Sequence, residues 1–489
     1  ARAVLHPGRS RVRFAQVDAH DGGDGRIRGE GTQHRTADEA RAPRHDDATH
    51  LGGDRCGSGT VPYTDHVSDH PAPDDPDDGG MRPGPSGPFG IPGFDPTQVN
   101  LADLMRILQS EGPVNWEVAL QTAGYVALDG GDEAAPSGTA VAELTDLART
   151  AAGLVANETG VTEVLSAPIR VLGRSEWARL QLEALRGVLE ALATTLRGSL
   201  DDAAPGSPGD LPPELAGPLS ALGLGGVGGD PFAGLMGMLA PVLLGTQAGS
   251  MVGYLARHSL GRYDLPLPTT DTPGPALVVP NLETFEAEWS IDARDLRLYV
   301  SLHEAVQTAV RGRTWVQDLL ARRSREYVSG YDLDLSRLEE QFGDLDPADP
   351  SSMTAAAEHP EAILGAMRSP AQDAAAHALR TLVTTLVGYG DAVLAHLAAP
   401  LLPDFGRIHE AVARHHVDQG EAGRFVESLL GIRLDRESLV RGRAFCAGVV
   451  ERAGTDGLHR LWESERMLPT PNELDAPGLW LARIELPEA

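Results

Sequence analysis

From Val99 onward the apolar positions of this chain recur three or four residues apart, the period of a helix, and keep it almost to the end. Residues 101–111, 115–127, 140–160 and 176–200 read as successive amphipathic helices, with breaks at Gly112-Pro113 and at Pro136. Residues 201–230 read mostly as loop with a short helix around Glu214. Further helices are expected around Ser336, at 353–367 and at 372–397, followed by short ones at 404–417, 421–430, 435–453, 455–463 and 477–484. The best strand is 275–281 (PALVVPN), a β-branched run bounded by prolines.

One segment, 231–256, carries no charge at all before Arg257 and is long enough to cross a membrane. Pro241, Gln247, Ser250 and several glycines interrupt it, and no aromatic belt or basic flank orients it. A helix apolar on every side is also what the middle of a helical body requires, so the segment is read as a core helix, with Leu243 and Leu244 inside. At the other extreme, residues 1–80 show no apolar period. They carry seven of the sixteen histidines and only Phe14 and Tyr63 as aromatics, too little to offset the entropy of ordering them. The chain therefore divides into a disordered Asp/Arg/His/Gly-rich extension (1–80), a Pro/Gly linker (81–97) and a folded domain (98–489). The extension lacks the apolar stretch of a secretory signal.

The clearest helix is 292–312. Asp292 is its expected N-cap, with Asp295 in the capping-box position and Gly312 expected as the stop. Tyr299, Leu302, Val306 and Ala309 form its apolar stripe. Beside them lies His303-Glu304-Ala-Val-Gln307. Positions 303 and 307 share a face, the spacing by which H-E-x-x-H places two histidines on one zinc ion with the glutamate as general base. Here the second histidine is glutamine, whose amide oxygen is a weaker donor than imidazole.

Composition narrows the function classes. The formal charge is −29 and all 41 basic residues are arginine, an acidic balance that argues against a nucleic-acid partner. Two cysteines, Cys56 and Cys446, give no disulfide framework or thiolate metal site and suit a reducing cytoplasm. His409-Glu410 with His415-His416 is a second histidine cluster. The six-residue gap from 409 to 415 rotates those two off one face, and the helix is read as solvated. His377 and His396 are read as surface or packing residues.

LLGTQAGSMVGYLARHSLGRYDLPLP, then VVPN, then DLRLYVSLHEAVQTAV, and finally LLGIRLDRESLVRGRAFCAGVVERAGTDGLHRLWESERMLPT together resemble a bacterial family of zincin-like metallopeptidases, over about Pro92 to Ile484. The resemblance implies a mainly α, zincin-like fold with a short strand beside the active-site helix, bound zinc, and a peptide or protein substrate of unknown identity. By that resemblance His303 is the first zinc ligand, Glu304 the catalytic base, and Gln307 stands where the second histidine is expected. The family's downstream E-G-Y-x-D-H segment corresponds to Val387-Gly-Tyr389-Gly-Asp391-Ala392, so the expected acidic ligand is valine and Asp391 is the remaining candidate. Three readings follow: a metal-dependent hydrolase with altered zinc ligands, an inactive relative serving as a binding or scaffolding module, and a membrane-associated helical protein. Metal content separates the first two, and solubility without detergent disposes of the third.

Overall fold

A computed structural model describes residues 112–203, 231–269, 272–331, 369–417, 426, 429–432 and 435–486, all within the unit Asp74–Ala489. The N-terminal extension, the linker, the helices at 101–111, around Ser336 and at 353–367, and most of 421–430 lie outside them. The described fold is mainly α, with two three-residue strands.

The first two helices are α1 (Trp116–Ala127) and α2 (Gly138–Thr159). Strand β1 (Arg170–Leu172) leads into α3 (Arg174–Ala203) and α4 (Pro231–His258). Strand β2 (Ala276–Val278) follows, then α5 (Val279–Trp289), α6 (Ala293–Arg311) and α7 (Thr314–Val328). The remainder is α8 (Pro370–Ala398), α9 (Phe405–Val417), α10 (Arg436–His459), the single turn α11 (Pro471–Leu474) and α12 (Pro477–Ile484).

α4 packs flat against α1. Gly245, Gly249 and Gly253, one turn apart, face it, and a Cβ on Gly249 would lie 2.5 Å from the Ala119 carbonyl oxygen. Three glycines on one face let two backbones touch where any side chain would hold them apart. Met251, Val252 and Leu255 are buried, while Leu243 is exposed and Leu244 only partly covered, so the expectation that both leucines sit inside is corrected. Among the described residues two helical stretches, Leu239–His258 and Pro370–Ala398, are long and apolar enough to cross a membrane, and in both 61% of the most apolar window is buried inside the body.

The expected strand at 275–281 is half strand and half helix. Ala276, Leu277 and Val278 pair in parallel with Arg170, Val171 and Leu172, and Val279 then starts α5 with Pro280 in its first turn. Proline there needs no amide hydrogen and supplies a helical φ, so the residue read as a boundary is an initiator. On its other edge β2 meets the chain leaving α4: Val278 N–H donates to the Leu260 carbonyl (3.0 Å) and Arg262 N–H to that of Ala276 (3.1 Å). Residues 260–264 are thereby pinned against β2. α6 forms as expected, with the Asp292 carboxylate accepting the amides of Arg294 and Asp295. Gly312 caps it with an ordinary right-handed backbone (φ −71°), not the left-handed glycine stop.

Candidate metal centre

α6 lies between β2 and a cavity, and neighbouring residues on it face different ways. Glu304 turns to the sheet. Fully buried, its carboxylate accepts the Tyr263 amide at 2.8 Å and the Ala276 amide at 3.0 Å, joining the 260–264 segment to β2. It presses so closely on Gly261 that a side chain there would collide with it. His303, Gln307 and Arg311, two turns in all, line the cavity together with Asp264, Asp391 and His416, and the enclosed space is about 40 Å³. That holds a cation and roughly two or three waters.

Asp264 comes from the irregular segment after α4, where the Leu260 amide donates to its Oδ2. Ligand atoms of Asp264, His303 and Glu304 all lie within 4.8 Å of one another. Burial pulls the His303 imidazole down to about 4, against the attraction of Asp264, so it is neutral at physiological pH with a lone pair to donate. Burial, with repulsion from Asp264, pushes Glu304 up to about 8 against the amides that favour its anion. Burial also works to raise Asp264, but the attraction of His416 and the nearness of His303 and His415 outweigh it and leave the carboxyl below its ordinary 3.8. His416 Nε2 stands 3.7 Å from Asp264 Oδ1, beyond hydrogen-bond range.

The structure thus brings His303, Gln307 and Asp391 to one cavity and sets Glu304 behind it. Asp391 is held by Arg443 of α10 at 2.6 Å. α8 and α10 touch through Gly388 and Gly442, which brings this pair into register. The Gln307 amide nitrogen packs against Gly390, on the α8 turn that also carries Val387. Asp264, His416, His409 and Arg311 line the same cavity and were not singled out as site residues by the sequence. The solvated reading of α9 needs correction. His409 accepts or donates at Nδ1 with the Tyr299 hydroxyl (2.8 Å), and His416, seven residues on and two helical turns away, shares its face.

The donors facing this centre fit zinc: His303 offers a neutral imidazole nitrogen and Asp264 a carboxylate oxygen, both of them ligand types that zinc takes. A mainly helical body with such a centre on one helix, next to a short parallel strand pair, is the class of a zincin-like protein. Residues 114–481 match the family model for zincin-like metallopeptidases, and the chain belongs to that family. A crystal structure from Chloroflexus aurantiacus, described as a candidate hydrolase with a novel fold, is similar at 22% identity and a TM-score of 0.51, over 77% of this chain and 100% of that one; it bears on the fold alone. No protein of curated function matches.

Proposed function

We propose that this protein is a metal-dependent hydrolase with altered zinc ligands, acting on a peptide or protein. The observation that carries the reading is the Asp264–His303–Glu304 cluster, its two acids buried and His303 partly so, beside a cavity, with the His303 imidazole kept neutral. Zinc at such a centre supplies Lewis acidity and lowers the pKa of a bound water. His303 would hold the zinc through a ring nitrogen and Asp264 through a carboxylate oxygen, and Glu304, within 4.8 Å of both, would exchange a proton with a group held there. The acidic chain (net charge −29) disfavours nucleic acid as substrate, and the buried free thiol of Cys446 suits a reducing cytoplasm.

A second reading, an inactive relative kept as a binding module, is favoured by one observation: Glu304 is engaged by backbone amides and does not line the cavity. Elemental analysis of purified protein, with peptidase assays on unstructured substrates, decides between them. Stoichiometric zinc that is lost in His303→Ala, together with hydrolysis, supports the enzyme. Absence of both supports the binding module.

A further inference from the structure

The α9 histidines are not equivalent. His415 Nε2 donates to the His258 carbonyl at 2.7 Å, and His409 is tied to Tyr299. His416 Nε2 is buried and has no hydrogen-bond partner among the described residues, though it points at Asp264. Asp264 in turn spends Oδ2 on the Leu260 amide and leaves Oδ1 toward His416. A buried imidazole nitrogen with nothing to bond costs free energy unless something absent from the bare chain fills the gap.

We propose that His416 supplies the nitrogen that Gln307 lacks, so that one divalent cation is held by Asp264, His303 and His416. This rests on the metal-dependent reading above and names its ligands. Two imidazoles on one tetrahedral zinc, with Zn–N bonds of about 2.0–2.1 Å, have ring centroids about 5 Å apart. The rings of His303 and His416 are 6.2 Å apart, so closing on a cation takes a movement of about 1 Å. Gln307 faces the same cavity from the motif's second-histidine position, but its amide nitrogen is packed against Gly390 and its oxygen is a poor zinc donor. A histidine arriving from another helix restores two nitrogens and one carboxylate without the paired-histidine motif.

The test is metal binding by the full chain, stripped of metal and titrated with Zn²⁺ against a chromophoric chelator and with Co²⁺ by absorption. One tight site is expected. His416→Ala should weaken zinc by more than about 100-fold, beyond what loss of an outer-shell partner costs, and His415→Ala by less than about threefold. His416→Cys should keep binding and add a sulfur-to-cobalt charge-transfer band, a result that an unfolded variant cannot give. Tight zinc binding that survives His416→Ala, or a Cys variant that binds cobalt without the band, overturns the ligand assignment and leaves the metal-dependent reading standing. No zinc binding by the unmodified chain overturns both.

Discussion

Asp391 and Arg443 are joined at 2.6 Å across the contact of α8 with α10, so the acid the motif offers as a ligand already has a cationic partner. The pair is partly exposed, Arg443 by 37%, and solvent screening keeps its worth near 1 kcal/mol. A double-mutant cycle with Asp391→Asn and Arg443→Met, read by denaturant unfolding, should give a coupling of about that size. In zinc titrations Asp264→Asn should cost far more affinity than Asp391→Asn. The reverse order would make Asp391 the ligand.

Glu304 should matter to the fold even where no substrate is present. Glu304→Ala leaves the amides of Tyr263 and Ala276 without their acceptor in a fully buried site, a loss of about 2–5 kcal/mol. Chemical unfolding of the metal-free protein measures it. An unchanged midpoint would show that the carboxylate serves chemistry alone.

The glycines of the α1–α4 contact and the glycine inside α2 should respond oppositely. Gly249→Ala forces a methyl onto the Ala119 carbonyl and the Thr122 side chain and should destabilise by about 1–3 kcal/mol. Gly153→Ala meets nothing within 4 Å and should stabilise by about 0.5–1 kcal/mol through helix propensity. Urea midpoints of the two variants check both signs.

His258 and His459 are held below their ordinary 6.5, chiefly by burial; His459 stays low in spite of Glu158. The folded state therefore prefers both neutral, and the unfolded state binds more protons below pH 6.5. Their contribution is complete above that value and declines as pH falls toward the folded pKa values. Glu304, raised from 4.5 to about 8, acts oppositely, losing its contribution as pH rises through that window, so the comparison must be made between variants. His459→Asn should show a smaller drop in unfolding midpoint between pH 7 and pH 5.5 than the unmodified chain.

The helices were legible because their period and caps are local. α6 begins at Asp292 and buries Tyr299, Leu302, Val306 and Ala309 as the spacing implies, and the break expected between 453 and 455 falls at Gly454, whose φ is 71°. β1, α5 and α7 were not expected from the sequence. β1 is three residues long and exists only through its pairing with β2, while α5 starts on a proline that also reads as a strand boundary. Of the residues around the cavity, those on α6 were legible and those that tertiary contact brings in were not. Asp264 sits on an irregular segment fixed by β2 and Glu304, which no periodicity marks. His416 could have been found: counted from His409 the gap is seven, two full turns, whereas the count to His415 hides it.

The split on α6 bears on how such chains are sorted. His303 looks into the cavity and Glu304 into the sheet, so these two adjacent residues answer to separate demands. A chain with no use for a metal could carry another residue at 303, yet it would still need an acceptor at 304 to fasten the 260–264 segment to β2. A glutamate at 304 is therefore required by the architecture alone, and its presence does not by itself report on chemistry.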